Sequence, residues 1–287
     1  MSESGQAFED RSPGTDPAID FNPQAGQMAD ESMVRTLAAQ AQAIWPQETP
    51  LLLRYRLPQD AAILDAGCGT GEGASRLAEL FGTSSVLGVD IIDAHLDVAR
   101  SRYAHLAPRL SFSHQSIYAL DAADETFDLV ACRHVLHSIP QTDRVLAELL
   151  RVTRRGGYLH LIAEDYGMIH FDDRSGVRDF WSVAPAAFGA AIGTDLFLGR
   201  NIVPLLTGRD VEAIAVDYAV VDTLRVSRDT FGDMLEAWRD GFVDAIAGST
   251  PMSRETAAAA FARMIATVRN PPGYAVWMVP IVSARRR

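Results

Sequence analysis

A glycine-rich loop is the first group of residues whose types and spacing could do chemistry. Gly67, Gly69 and Gly71 follow a short apolar segment, where glycines let the backbone turn sharply and approach a ligand closely. The carboxylates Asp65 and Glu72 flank the loop, and Glu72 stands where a dinucleotide-binding loop has its third glycine. A carboxylate repels a pyrophosphate but attracts an ammonium or a sulfonium. The loop therefore predicts a cationic nucleoside ligand and disfavours a nicotinamide dinucleotide.

Asp90 is the second anchor for such a ligand. It ends the apolar segment 85–89 and stands 19 residues after Gly71. An acidic side chain at the end of the second strand of an α/β fold can accept hydrogen bonds from both ribose hydroxyls. A glycine loop alone would be a weak signal, whereas the loop together with this acid indicates a nucleoside site.

Ionisable side chains follow two later apolar segments and are candidates for acid–base chemistry. A histidine is the usual base for removing a proton from a phenol, an alcohol or an ammonium group. His137, His134 and His170 are each interpreted as either a catalytic base or a structural residue, with His170 in the wall of the substrate site. The segment Glu164-Asp165-Tyr166 is interpreted in two ways. It either supplies a base or a polar contact for a substrate, or it is a solvated loop.

The histidines also bear on metal binding. His134 and His137 have a spacing that could ligate a metal ion, but no third ligand is evident, so no metal is predicted. The other four histidines are predicted to be surface or packing residues: His95, His105, His114 and His160.

The elements that must position these residues alternate between strand and helix. Five apolar segments with strand patterning are separated by helical patterns: 62–65, 85–90, 110–114, 127–132 and 157–163. Short connections and this alternation are typical of a parallel, doubly wound α/β sheet. Ligands bind outside the carboxyl ends of the strands in such a sheet, which is where the residues above stand.

The two ends of the chain have their own patterns. Residues 1–28 are rich in Ser, Gly, Pro and Asp and are predicted to be a flexible tail. A helix is predicted to begin at Asp30, as its N-cap, and to be interrupted at Pro46. A bulge or strand end is predicted at Pro280, because proline donates no ladder hydrogen bond. The late elements are helices at 229–247 and 253–268 and a strand at 274–282.

The composition narrows the function classes. The net charge is −11 at pH 7, which argues against nucleic acid as a partner, because phosphate binding needs a basic surface. All 26 basic residues are arginine, which excludes Schiff-base chemistry, pyridoxal phosphate and the P-loop lysine. No signal-like start and no membrane-spanning apolar run is evident, and two cysteines cannot form a disulfide framework. We therefore expect a cytoplasmic protein with no membrane partner.

Several segments resemble motifs of the class I S-adenosylmethionine-dependent methyltransferases. Residues 63–71 (ILDAGCGTG) resemble the glycine-loop motif, and Val89-Asp90 is similar to the acid of the second motif. Residues 127–137 (FDLVACRHVLH) resemble the fourth-strand motif, and residues 156–159 (GGYL) the turn into strand five. The resemblance covers about residues 60–165 and continues more loosely to the end of the chain, as in the branch that acts on small molecules.

The resemblance implies a Rossmann-like, doubly wound, seven-stranded α/β sheet with helical lid insertions. The implied strand order is 3-2-1-4-5-7-6, with strand seven antiparallel. The implied cofactor is S-adenosyl-L-methionine, and the implied partner is a small-molecule acceptor. The implied cofactor-binding residues are Asp65, Gly67, Cys68, Gly69, Gly71, Asp90, Ile91, Ser116, Ile117 and Arg133.

These residues have different implied roles. Asp65 would lie near the methionine part of the cofactor, while the main chain of Gly67 and Gly69 would contact the cofactor closely. Asp90 would hold the ribose, and Ile91 would pack on the adenine.

Two positions depart from a simple transfer of the family pattern. The family often has an acidic residue after strand three at the adenine edge, and here Ser116 or a main-chain N–H takes its place. Arg133 either pairs with the cofactor carboxylate or forms a surface ion pair.

A single methyltransferase domain is predicted over residues 29–287. Its parts are a helical cap (29–58), a cofactor-binding core (60–163) and two acceptor-site lid insertions (164–197 and 228–270). Aromatic residues in the insertions are either core or the wall of an apolar acceptor pocket. We therefore expect methyl transfer to an aromatic or polyketide-like metabolite, preferably to oxygen. Transfer to nitrogen, carbon or a carboxylate, and a non-catalytic cofactor-binding module, are the alternatives, and a homodimer is allowed.

Overall fold

A computed structural model of the chain describes residues 29–287, so the flexible tail predicted for residues 1–28 lies outside the described residues. The centre of this part of the chain is a sheet of eight strands. In chain order the strands are β1 (Ala62–Ala66), β2 (Ser85–Asp90), β3 (Leu110–His114), β4 (Phe127–Arg133), β5 (Thr153–Ile162), β6 (Ile169–Phe171), β7 (Val211–Asp222) and β8 (Ala275–Arg286).

The strand order places the carboxyl ends of β1, β2, β4 and β5 at one edge of the sheet. The first five strands run parallel in the order β3-β2-β1-β4-β5. β8 lies antiparallel beside β5, and β7 pairs with the other edge of β8. The predicted order 3-2-1-4-5-7-6 is confirmed, with β8 and β7 in the places of strands seven and six. The short β6 is an addition that pairs with the part of β8 beyond β5.

Pro280 lies within β8 without ending it, so the bulge or strand end predicted there is wrong. The β5 ladder stops at Ile281 and the β6 ladder starts at Trp277, so Pro280 falls between the two ladders on that edge. No ladder hydrogen bond is lost on that edge, which is why proline is tolerated. The irregular register occurs in β7, between Glu212 and Ala215.

The first helix, α1 (Glu31–Leu53), covers part of the site. Asp30 caps it, accepting a main-chain hydrogen bond at 2.8 Å. The helix continues through Pro46, so the predicted interruption there is wrong. The Gln47 side-chain amide bonds to both the N–H and the C=O of Val220 on β7, at 2.9 and 3.0 Å. These tertiary contacts hold the helix together beyond the proline, against its low helix propensity.

The other helices form two groups. They are α2 (Glu72–Leu80), α3 (Asp93–Arg102), α4 (Thr142–Val152), α5 (Phe180–Ile192), α6 (Ile202–Leu206), α7 (Arg228–Ser249) and α8 (Arg254–Arg269). Helices α2, α3 and α4 pack on the parallel strands, whereas α1, α5 and α8 pack against α7. Ser227 and Ser253 cap α7 and α8, which therefore begin within one or two residues of the predicted positions. None of the helices in residues 29–287 is both long and apolar enough to cross a membrane.

Candidate active site

The glycine loop wraps the carboxyl end of β2. Gly67 and Gly69 have φ values of +76° and +51°, which favour glycine. The N–H of Gly67 donates to the Val89 carbonyl at 2.8 Å. The Asp90 carboxylate accepts from the N–H of Gly69 at 2.8 Å and from that of Ile92 at 3.0 Å. Loop and acid therefore form one rigid unit, with Asp90 held in place by the main chain.

A cavity opens beside this unit, and together with the open space at its mouth it comprises about 1380 Å³. Seven predicted cofactor residues line one end, which we call the nucleoside end: Gly67, Gly69, Asp90, Ile91, Ser116, Ile117 and Arg133. Ile92, Gln115 and Tyr118 line it as well. An acidic residue after β3 is replaced there by an amide and a hydroxyl, so the adenine edge is polar but uncharged.

Three predicted cofactor residues do not reach the cavity wall. Cys68 is buried in the core beneath the loop, and Gly71 is the N-cap of α2. Asp65 is 2% exposed at the end of β1. Burial raises the pKa of Asp65 to about 6, although the nearby Arg133 guanidinium lowers it.

Arg133 is buried, so the surface ion pair that the sequence left open is wrong. Its Nη2 donates to Oε2 of Glu48 on α1 at 2.9 Å, and its Nε lies 2.8 Å from Oε1. The guanidinium carbon lies 5.7 Å from the centre of the Trp45 ring. The Arg133 guanidinium, at the nucleoside end, is thus ion-paired with helix α1, which covers this end of the cavity.

Glu164 lies between two histidines where the neighbouring strands β4 and β5 end. Nδ1 of His134 bonds to Oε1 of Glu164, and Nδ1 of His137 lies 2.6 Å from Oε2. The second contact has the distance of an ion pair but not the angle of a hydrogen bond. Burial alone would raise the pKa of Glu164, but the contacts and hydrogen bonds with the two imidazoles outweigh it and lower the pKa below its ordinary range. The ionised carboxylate therefore fixes both rings.

His134 is the better placed of the two histidines to accept a proton. Its φ of +62° is uncommon for a residue other than glycine, and its N–H donates to the Ile162 carbonyl at 2.9 Å. Its Nε2 is buried with no hydrogen-bond partner in the described part of the chain, and the residue lines the cavity. Nε2 of His137, by contrast, lies 3.0 Å from Oγ of Ser138.

Aromatic side chains form the other end of the cavity, which we call the acceptor end. Tyr166 stacks on Trp181 at 5.7 Å between ring centres and meets Trp238 edge-on at 5.9 Å. Burial raises the pKa of Tyr166 well above its ordinary value, and so does the charge of Glu164. The apolar residues that line this end are Tyr166, Phe180, Trp181, Ala184, Pro185, Phe188, Leu196, Trp238, Phe242, Ile246 and Phe261. They come from the two segments predicted as lid insertions.

Two candidate residues lie elsewhere. Asp165 is fully buried and accepts hydrogen bonds from Arg200 at 2.5 and 2.6 Å and from the Gly167 N–H at 3.0 Å. His170 is exposed on β6, where it pairs with Val276. Neither lines the cavity. Their predicted placement at the acceptor site is wrong, because the chain turns away from the cavity directly after Glu164 and returns at Tyr166.

Sequence reasoning missed the polar residues that α1 and β5 bring to this region. Glu48 is fully buried and contacts His160, whose other ring nitrogen lies 2.7 Å from the Tyr55 hydroxyl. Thr36 and Gln40 of α1 line the cavity. The available signal was the presence of polar residues on the apolar face of a predicted helix, which rarely buries such groups without a partner.

The cofactor-binding part of the chain matches known proteins. Residues 63–157 match the family model described as a methyltransferase domain. A phthiotriol/phenolphthiotriol dimycocerosates methyltransferase of Mycobacterium ulcerans is 37% identical over 97 residues, which cover 34% of this chain and 35% of that protein. The chain thus spans about a third of this relative's length.

Two solved structures are similar over most of the chain. The cyclase SpnF has a TM-score of 0.59 at 23% identity, over 92% of this chain and 96% of that one. Geranyl diphosphate C-methyltransferase from Streptomyces coelicolor, in complex with S-adenosyl-L-homocysteine, has a TM-score of 0.51 at 16% identity, over 84% and 79%. These likenesses concern the fold. Residues 63–157 are thus similar to the methyltransferase domain family, and the fold around them is the one that these two structures share.

Proposed function

We propose that the protein transfers a methyl group from S-adenosylmethionine to a hydroxyl oxygen of a neutral, largely apolar small molecule with an aromatic or polyketide-like skeleton. One observation carries the proposal. A single cavity joins the nucleoside end, at the glycine loop and Asp90, to the acceptor end, with His134 and Glu164 beside the aromatic wall.

The nucleoside end fits the cofactor in its donor set. Each Asp90 oxygen already accepts one main-chain N–H and keeps a lone pair for a ribose hydroxyl. Ile91 and Ile117 offer apolar surface to a base, and Gln115 and Ser116 offer polar groups at its edge. When bound, S-adenosylmethionine supplies a methyl group on a sulfonium, and transfer to an acceptor oxygen releases S-adenosylhomocysteine.

The chain's own residues hold the acceptor and take its proton. The aromatic wall excludes water and orients the acceptor, and positioning of this kind supplies on the order of 7–11 kcal/mol. Nε2 of His134 accepts the hydroxyl proton as the new oxygen–carbon bond forms. Glu164, ionised and bonded to Nδ1, stabilises the resulting imidazolium.

The charges around the cavity favour a neutral acceptor. Histidines aside, Arg133 is the one basic residue among the residues of 29–287 that line the cavity, and Glu48 already pairs with it. No cysteine is among the lining residues, and both cysteines are buried elsewhere. Within the described part of the chain, an anionic acceptor would therefore find no cation free to pair with it at the acceptor end, and a soft metalloid would find no thiolate.

The test is transfer of an isotopically labelled methyl group from S-adenosylmethionine into fractionated metabolite extracts, with the products identified by mass spectrometry. We expect label in neutral aromatic or polyketide-like products as a methyl ether. The His134→Asn variant should lose at least about 100-fold in turnover, and asparagine suits the left-handed backbone at this position. Full turnover in both His134→Asn and His137→Asn would rule out histidine as the base.

A second candidate function has one observation in its favour. The cyclase SpnF matches this chain over more of both lengths than the methyltransferase from Streptomyces coelicolor does. Under this alternative the protein would bind the cofactor without transferring its methyl group. Tight binding of S-adenosylmethionine, combined with no labelled product from any extract, would favour it.

A further inference from the structure

We infer that Glu48 of α1 is a positioning residue for the cofactor. It holds the Arg133 guanidinium so that its free N–H groups face the carboxylate on the methionine part of the cofactor. This inference rests on the proposed function, since it assigns a further residue to the same site.

Glu48 is the centre of a buried chain of contacts. Its Oε2 accepts from Nη2 of Arg133 at 2.9 Å, and its Oε1 lies 3.0 Å from Nε2 of His160. Nδ1 of His160 lies 2.7 Å from the Tyr55 hydroxyl. His160 and Glu48 are both 0% exposed. With Nε2 of His160 donating to Glu48, Nδ1 accepts a hydrogen bond from the Tyr55 hydroxyl, so both ring nitrogens of His160 are paired.

The charge of Glu48 is stable in this setting. Burial would raise its pKa, but the Arg133 guanidinium and His160 outweigh burial and lower the pKa to about 2. Glu48 is therefore a carboxylate at neutral pH, and one side of the guanidinium is permanently occupied.

The Nη1 end of the guanidinium lies against the first turn of α2, directly after the glycine loop. Nη1 of Arg133 lies only 1.9 Å from the position that a Cβ atom on Gly73 would take, and Oδ2 of Asp65 lies 2.9 Å from the same position. Arg133 also lines the cavity. Without Glu48, Asp65 would be the strongest anion available to Arg133, and the guanidinium would turn away from the ligand.

The arrangement predicts which ligands should lose affinity when Glu48 is replaced. A guanidinium presents five N–H donors, of which one on Nη2 bonds to Glu48, while Nε lies at ion-pair distance from the same carboxylate without the angle of a hydrogen bond. The donors of Nη1 are left for a ligand carboxylate. Loss of Glu48 should therefore weaken only ligands that carry that carboxylate, whereas a general loosening of α1 would weaken all ligands alike.

The experiment compares S-adenosylmethionine with decarboxylated S-adenosylmethionine by calorimetry, since the two ligands differ only in the carboxylate. We expect the wild type to prefer the first ligand by about 10-fold or more. Glu48→Gln should lose about 10-fold in affinity for S-adenosylmethionine and keep its affinity for the decarboxylated ligand.

A second variant keeps the inference testable if Glu48→Gln does not fold. In Gly73→Ala the new Cβ displaces Nη1 without removing a charge, so it should reduce the same preference. Gly248→Ala is the matched control, because no atom of residues 29–287 lies within 4 Å of its Cβ position. Equal weakening of both ligands, or of neither, in Glu48→Gln would overturn the inference. Failure of the wild type to bind either ligand would instead overturn the proposed function.

Discussion

Nδ1 of His137 lies 2.6 Å from Oε2 of Glu164, on the side of the carboxylate opposite the bond to His134. Two rings are thus fixed by one buried charge. The strand register brings the two histidines to Glu164. Arg133 on β4 pairs with Ile162 on β5, and the histidines and the glutamate lie within four residues after this pair.

Glu164→Gln removes the charge that orients both imidazole rings but keeps the shape of the side chain at position 164. We expect turnover to fall by about 10²–10⁴-fold, the range of general base catalysis, with unchanged affinity for S-adenosylhomocysteine. Steady-state kinetics and calorimetry check the two halves of this prediction. His170→Ala is the control, since His170 is exposed on β6 and should retain full turnover. A large loss in His170→Ala would return that residue to the site.

Ala184→Phe should block the acceptor end alone. Ala184 is 1% exposed on α5 and lines the cavity, whereas its neighbour Val183 is 55% exposed. The added ring competes with the acceptor for space, so KM for the acceptor should rise by at least about 10-fold. Val183→Phe places the same ring in solvent and should leave KM unchanged. Equal effects of the two substitutions would contradict the placement of the acceptor.

Gly69→Ala should weaken cofactor binding through its backbone. Gly69 has a φ of +51°, and its Cβ would lie 2.8 Å from Cδ1 of Leu37. An alanine in this conformation costs about 1–2 kcal/mol and shifts the N–H that holds Asp90. Gly176→Ala carries a similar φ of +65° with no atom near its Cβ, so it should lower the free energy of unfolding without changing cofactor affinity. Urea unfolding and calorimetry separate the two outcomes.

The pKa of Asp65 gives stability a particular pH dependence. A carboxyl with a pKa of about 6 in the folded protein, raised from 3.8, is protonated more readily in the folded state. The free energy of unfolding contributed by that proton is lost as the pH rises from 3.8 through about 6. Relative to Asp65→Asn, the wild type should lose about 1 kcal/mol of unfolding free energy between pH 5 and pH 7. A difference that stays constant with pH, measured by urea unfolding, would contradict the raised pKa.

Local pattern was enough to predict the parallel strands and the meeting of the glycine loop with Asp90. Asp90 and the glycines lie close together in the sequence, and their geometry follows from a strand, a turn and a helix. The course of α1 through Pro46 was not predictable in this way, because it depends on contacts between Gln47 and Val220, which lie 173 residues apart.

The catalytic candidates show the same limit. His134 and Glu164 were identified because each directly follows a strand, whereas His170 was misplaced because a three-residue strand, β6, carries it away from the cavity. His160 was predicted to be a surface or packing residue. Its contact with Glu48 joins positions 112 residues apart, and no local period encodes it.

The two ends of the cavity come from different stretches of the chain. Apart from α1, the glycine loop and the residues up to Tyr118 build most of the nucleoside end, while the aromatic wall begins at Tyr166. Substitutions that change the acceptor can therefore occur in the residues from Tyr166 onward while the residues up to Tyr118 stay the same. Descendants of one ancestral gene can diverge in what they modify without having to rebuild the part that recognises the methyl donor.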